Sequence, residues 1–180
     1  MISQGAAYPK ARILAVDDNP SNTRLLEMML KQEGYENVTS VTDSRKVRGM
    51  FQKWRYDLIL LDIRMPHLDG FQVMEQLSEI IHGDYMPVLV LTAQTDMDTK
   101  LRALKLGAND FCIKPFDRAE VLNRISNMLE VRYLYNQQKR HSEILDAKVR
   151  ERTIELEERN LELHETRLEI IRRLGRAGEY

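Results

Sequence analysis

The sequence predicts an α/β protein with a five-stranded, parallel, doubly wound sheet and a long C-terminal α-helix. Two observations lead to this fold class. Short apolar runs alternate with segments of helical periodicity over the first two thirds of the chain, as in parallel sheets covered by helices on both faces. After Arg118 no Gly or Pro occurs until Gly175, so the last helix can continue without a break.

Polar side chains follow four of the apolar runs, where each strand would end. They are Asp17 and Asp18 after 13–16, Asp62 after 58–61, Thr92 after 88–91 and Lys114 after 111–113. Asp62 taken alone could be an ordinary turn residue. Because the carboxyl ends of parallel strands form the ligand crevice of such sheets, the repetition instead predicts one shared site.

Three carboxylates this close would repel one another and raise each other's pKa unless a cation lay among them. Carboxylate oxygens are the ligands that Mg²⁺ prefers, and Mn²⁺ accepts them too. Asp17, Asp18 and Asp62 are therefore predicted to hold Mg²⁺ or Mn²⁺.

The helices and loops of the first half follow from local signals. Asn19 and Pro20 are the N-cap and first residue of a helix that Gly34 ends. Residues 37–41 form a weakly marked strand that needs no site acid. The next helix turns the apolar side chains at 47, 50 and 51 towards the core.

In the second half, Pro66 prevents a helix directly after Asp62, and Asp69-Gly70 provides a turn. Asp-Gly can also indicate a hairpin, but the apolar spacing over 71–77 has a period of 3.6 and favours a helix. Pro87 opens the fourth strand, and a helix is predicted from 96 to 106.

The segment from Ala11 to Leu129 resembles the receiver domains of two-component response regulators. The resemblance rests on five motifs in the right order and spacing, which are Asp17-Asp18, Asp62 with Met65-Pro66, Asp69-Gly70, Thr92-Ala93 and Lys114-Pro115-Phe116. It implies a flavodoxin-like fold with strand order 2-1-3-4-5.

By this resemblance, Asp62 is the phospho-acceptor and receives its phosphoryl group from a sensor histidine kinase or a phosphotransfer protein. The backbone carbonyl of Arg64 would add a metal ligand. An acyl phosphate adds about one negative charge to the site, and Lys114 and the hydroxyl of Thr92 are the groups available to meet it.

The resemblance also implies a conformational switch. When Thr92 moves inward, an aromatic side chain on the last strand fills the vacated space, and Phe111 stands at that position. Arg64 and Gln94 lie where family members vary and are expected to tune the lifetime of the phosphoryl group. The Lys114-Pro115 bond is expected to be cis.

The expected organisation is a flexible tail at 1–10, a receiver at 11–129 and a helical coiled-coil linker at 130–180. With 27 basic and 28 acidic side chains, net charge indicates neither nucleic acid nor an anionic membrane as a partner. A single cysteine, Cys112, excludes an intrachain disulfide, and no apolar run reaches the roughly 20 residues of a membrane span. A cytoplasmic location is therefore expected.

A column of mostly apolar residues recurs every seven positions in the last helix. Its members are Met128, Tyr135, Ser142, Val149, Leu156, Leu163 and Ile170. A mostly polar companion column lies four residues later and consists of Thr153, Asn160, Arg167 and Leu174. The column predicts a parallel two-stranded coiled coil, hence a homodimer, in which Asn160 fixes the register. The alternative is a solvated single helix with intrahelical ion pairs.

Three functions are compatible with these features. The main hypothesis is a receiver that catalyses only its own phosphotransfer and autodephosphorylation and signals to an absent output. The segment Val149–Thr153 and residues 168–180 resemble linkers to HD-GYP phosphodiesterases of cyclic di-GMP, although diguanylate cyclases and kinases use similar coils. The alternatives are a standalone adaptor and an aspartate-nucleophile phosphatase, whose two Asp separated by one residue are missing at Asp17-Asp18-Asn19.

Overall fold

The computed structural model describes residues 5–81, 83–93 and 97–177, with side chains up to 173. A sheet of five parallel strands forms its centre, in the order β2-β1-β3-β4-β5. The strands are β1 (Arg12–Val16), β2 (Asn37–Val41), β3 (Leu58–Leu61), β4 (Val88–Thr92) and β5 (Asp110–Ile113). The predicted fold class and strand order are confirmed.

Five α-helices follow the five strands. They are α1 (Pro20–Glu33), α2 (Val47–Lys53, after a 3₁₀ turn at Ser44–Lys46), α3 (Gly70–Ser78), α4 (Met97–Lys105) and α5 (Arg118–Ala177). The predicted caps of α1 are present. The side chain of Asn19 accepts a hydrogen bond from Ser21 N–H, and Gly34 ends α1 with a φ of 104°. Asp69 and Gln72 form a capping box at the start of α3.

The three central strands, β1, β3 and β4, are buried on both faces because two separate clusters of apolar side chains cover the sheet. In β3, Ile59 and Leu61 pack in one cluster, with side chains of α2 and α3. Leu58 and Leu60 pack in the other, with side chains of α1 and α5. Polar side chains of these strands can therefore reach solvent only at the strand ends, which is where the site residues lie.

The contacts divide the chain into a first unit that ends at Tyr135 and a second that starts at Asn136. The first unit extends beyond the expected boundary at Leu129 because Arg132 and Tyr135 bind the loop before β4. Arg132 is 7% exposed; its guanidinium donates to the carbonyl of Tyr85 and lies 3.3 Å from an Asp84 carboxylate oxygen. The hydroxyl of Tyr135 donates to the carbonyl of Gly83 at 2.9 Å.

Residues 5–10, which were expected to belong to a flexible tail, are hydrogen-bonded to the first unit. Ala6 N–H donates to the carbonyl of Glu33 at 2.7 Å, and Glu36 N–H donates to the carbonyl of Pro9 at 2.8 Å. The ring of Tyr8 packs 5.3 Å from that of Tyr133. None of the helices in the part of the chain that is described is both long and apolar enough to cross a membrane.

Candidate functional site

The carboxyl ends of the strands bring the predicted site residues together. Asp17 follows β1, Asp62 follows β3 and Lys114 follows β5, and Thr92 is the last residue of β4. The carboxylates of Asp17, Asp18 and Asp62 each place an oxygen within 4.8 Å of the others. Asp17 is 1% exposed and Asp62 is 8% exposed, whereas Asp18 faces solvent. The cluster is thus a partly buried acidic cleft with an open side.

Lys114 supplies the ammonium group that pairs with the buried carboxylates of this cleft. Its Nζ lies 2.5 Å from Oδ2 of Asp17 and 3.0 Å from Oδ2 of Asp62. Its backbone N–H donates to the carbonyl of Thr92 at 2.8 Å, so β4 and β5 fix its position together. Three carboxylates and one ammonium leave about two negative charges, which a divalent cation would balance.

Further hydrogen bonds orient the two buried carboxylates. Oδ1 of Asp17 accepts from Asn19 N–H at 2.9 Å, and both of its oxygens lie 3.0 Å from Nδ2 of Asn22. Oδ1 of Asp62 accepts from the N–H of Ile63 at 2.8 Å. Sequence reasoning missed Asn22. Its place in the first turn of the helix that starts beside Asp17 was the available signal.

The pKa values of Asp62 and Lys114 are both raised, for different reasons. Burial raises the pKa of Asp62, although the hydrogen bond and the charge of Lys114 oppose the shift. Burial lowers the pKa of Lys114, but its bonds to Asp17 and Asp62 outweigh that effect, so the net pKa is raised. Lys114 is therefore firmly protonated, and Asp62 ionises less readily than an exposed aspartate.

The loop from Asp62 to Gly70 is closely packed against the end of β3. Gly70 N–H donates to the carbonyl of Ile63 at 2.9 Å. A Cβ at Gly70 would lie 2.5 Å from the carbonyl oxygen of Asp62, so any other residue there requires the backbone to shift. His67 adopts a φ of 70°, which is uncommon outside glycine. The Lys114-Pro115 bond is cis, as expected.

The remaining predicted residues lie around the cleft. Thr92 is 1% exposed. Phe111 is half-buried and stands beside Val90 in the β4–β5 pairing. Arg64 lines a cleft of about 480 Å³ that also contains Asp18 and Asp69. Gln94 lies outside the described residues.

Comparison with known proteins places this arrangement in a family. The model of the response regulator receiver domain matches residues 13–126. The chain belongs to this family.

The receiver is 41% identical over 118 residues to the transcriptional regulatory protein PcoR of Escherichia coli. This match covers 66% of this chain and 51% of PcoR. It thus spans about half the length of the first curated relatives that it matches. Among solved structures, it resembles the receiver domain of the sensor histidine kinase PA1611 of Pseudomonas aeruginosa PAO1, in which a magnesium ion is coordinated in the active site cleft. The identity is 35%, the TM-score is 0.61, and the alignment covers 67% of this chain and 98% of that one. The chemotaxis protein CheY4 of Vibrio cholerae is 29% identical with a TM-score of 0.62, over 66% of this chain and 98% of CheY4.

Proposed function

We propose that this receiver accepts a phosphoryl group on Asp62 from a phosphohistidine of a sensor histidine kinase or a phosphotransfer protein. The proposal rests on one observation, the buried carboxylate of Asp62 held 3.0 Å from the ammonium of Lys114 at the edge of an acidic cleft. A carboxylate is a feasible nucleophile, and phosphoryl transfer depends mainly on positioning and charge neutralisation.

The oxygen set of the cleft fits a hard divalent cation. Asp17, Asp18 and Asp62 would hold Mg²⁺, together with the backbone carbonyl of Arg64, and Mn²⁺ fits the same oxygens. Bound there, the ion supplies positive charge next to the transferring phosphoryl group. The magnesium ion in the cleft of the PA1611 receiver supports this part of the proposal.

In the reaction, an oxygen of Asp62 forms a bond to phosphorus, the nitrogen–phosphorus bond breaks, and the electron pair stays on the leaving imidazole. The raised pKa of Lys114 keeps its ammonium charged to pair with the phosphoryl oxygens. Thr92, one strand away, offers its hydroxyl to the same group. Its inward movement would make room for the ring of Phe111, and this is the proposed switch.

Mass spectrometry after incubation with acetyl phosphate and Mg²⁺ tests the acceptor. The wild-type protein should gain one phosphoryl group and Asp62→Asn none, whereas Asp98→Asn, which alters an exposed aspartate in α4, should react normally. Labelling of Asp62→Asn at another residue would refute the assignment. Steady turnover of unrelated phosphate esters would favour the phosphatase alternative instead.

We further propose that the second unit pairs with its equivalent in another copy as a parallel coiled coil. Apart from Ser142, the members of its seven-residue column are apolar and exposed, with Val149 at 62%, Leu156 at 59%, Leu163 at 64% and Ile170 at 53%. Exposed apolar side chains in such a column are stabilised by burial against a second helix, and Asn160 in the companion column favours parallel register. Tyr135 binds Gly83 within the first unit, so we assign the seam to 149–170.

Light scattering on the full chain tests the coil. The wild-type protein should be a dimer at tens of micromolar, and Leu163→Lys should weaken the dimer. Leu161→Lys is the matched control because Leu161 is equally exposed, at 66%, but lies outside the column. A wild-type monomer, or equal effects of the two substitutions, would contradict the proposed seam.

The dimer would relay the state of Asp62 to an output. The resemblance of Val149–Thr153 to HD-GYP linkers favours a cyclic di-GMP phosphodiesterase as that output, and this part of the proposal rests on the sequence alone.

A further inference from the structure

Helix α4 packs against the rest of the first unit through few buried side chains. Of its nine residues, all of which the structure describes, only Ala103 is buried. Its large apolar side chains are exposed, with Met97 at 68%, Leu101 at 48% and Leu104 at 45%. Individual side-chain contacts therefore contribute more to the position of α4 than they would in a helix with a buried stripe.

Two of these contacts place a cation of α4 over an aromatic ring of a neighbouring element. The Nζ of Lys100 lies 4.6 Å from the ring centroid of Phe111 on β5. The Cζ of Arg102 lies 4.1 Å from the ring centroid of Phe71 in the first turn of α3. Both distances are within the roughly 6 Å at which the ring quadrupole attracts a cation.

The ring of Phe111 lies between this cation and the core. It is half-buried and packs against the apolar cluster that contains Val90 and Ala108. A phenylalanine has no hydroxyl with which to form a hydrogen bond at the surface. The ammonium of Lys100 is therefore a polar contact that favours the observed ring orientation, and any rotation that carries the ring away from it loses that contact.

We propose that Lys100 is a positioning residue for Phe111, and that its charge sets how readily the ring leaves the orientation seen here. The regulatory part of this inference rests on the proposed switch, in which Phe111 moves after phosphorylation of Asp62. The contact itself exists without phosphorylation and is testable at rest. Replacing Lys100 by methionine, which keeps an unbranched side chain of similar size and removes the charge, should increase the population of the alternative ring orientation about two- to fivefold.

The test uses fluorine NMR of the full chain with its four phenylalanines labelled by fluorophenylalanine, assigned through Phe→Leu variants. Spectra are recorded at rest and with Mg²⁺ and beryllofluoride, a mimic of the phosphoryl group. Lys100→Met is compared with Lys100→Arg, which keeps a cation, and with Lys105→Met, which removes an exposed cation from the last turn of the same helix. The other phenylalanine signals report whether each variant is folded.

At rest, Lys100→Met should shift the Phe111 signal towards the position it takes with beryllofluoride, while Lys100→Arg and Lys105→Met should match the wild type. A resting Phe111 signal that is unchanged in Lys100→Met, or changed equally in Lys105→Met, overturns the role of Lys100. The proposed switch fails separately, if beryllofluoride leaves the Phe111 signal of the wild type unmoved. In that case a resting shift confined to Lys100→Met would still establish Lys100 as the residue that positions the ring.

Discussion

Gly70→Ala should destabilise the receiver because the new methyl group would meet the backbone. The added Cβ would lie 2.5 Å from the carbonyl oxygen of Asp62 and 2.8 Å from Cα of Ile63. Carbon atoms pack best at about 3.5–4.0 Å, so the chain at 62–63 would have to move by about 0.7–1.2 Å to restore that separation fully. Overpacking of this kind costs about 1–3 kcal/mol, and a value near 2 kcal/mol is expected because backbone atoms cannot rotate away.

Gly49→Ala is the matched control. Gly49 lies inside α2, is exposed, and has nothing within 4 Å of the added Cβ. The same substitution there should raise stability by about 0.5–1 kcal/mol, because alanine is the better helix former and restricts the unfolded chain. The same substitution, glycine to alanine, is thus predicted to lower stability at position 70 and to raise it at position 49.

Urea unfolding followed by fluorescence of Trp54, the only tryptophan of the chain, measures both changes in the first unit. With a slope of about 2 kcal/mol per molar urea, the midpoint should fall by about 1 M for Gly70→Ala and rise by about 0.3–0.5 M for Gly49→Ala. Gly70→Ala should also slow phosphorylation, because the displaced backbone carries Asp62. A Gly70→Ala midpoint equal to that of the wild type would show that the loop relaxes freely and would refute this reasoning.

Three further predictions concern buried polar groups. Arg132→Met should lower the unfolding free energy by about 2 kcal/mol, since the partly buried carbonyl of Tyr85 and carboxylate of Asp84 lose their donor. The exposed Arg140→Met should change it by less than about 0.5 kcal/mol in urea unfolding. Burial raises the pKa of Cys112 to about 11, so iodoacetamide should label the native thiol slowly at pH 7 and faster towards pH 11. Fast labelling of the native protein at pH 7 would contradict the raised pKa. The folded pKa of Asp62 is raised, so its ionisation favours the unfolded state and stability falls as pH rises through that pKa. Without Mg²⁺, Asp62→Asn should therefore be more stable than the wild type at pH 7, with a smaller difference near pH 4, and an equal difference at both would argue against the shift.

The residues of the acidic cleft could be predicted because one rule places all of them. Parallel strands end at one edge of the sheet, so a polar residue after each apolar run identifies Asp17, Asp62 and Lys114 without knowledge of the loops. The strand order followed from the resemblance, and the bounds of the helices followed from caps such as Asn19 and Gly34. Unlike the strand order, the caps depend on residues close together in the chain.

Long-range side-chain contacts could not be predicted in this way. Arg132 reaches Tyr85 across 47 positions, and no periodicity marks such a contact. The Met128 side chain, 7% exposed, belongs to the core rather than to the exposed part of its seven-residue column. The same column therefore passes from receiver core to exposed surface, and sequence spacing alone does not show where the change occurs.

Two local costs of the fold lie at the proposed phospho-acceptor and in the loop that follows it. At the caps of α1 and α3 the chain follows local preferences, with Asn19 and Asp69 as N-caps and Gly34 as a C-cap. Between Asp62 and Gly70 it does not, because a carboxylate is buried against its ionisation preference and His67 takes a positive φ. Strain and desolvation persist only where the surrounding structure imposes them, and they cluster at functional sites. The 62–70 loop is accordingly the segment where a stabilising substitution, such as His67→Gly, is most expected to alter phosphorylation as well as stability.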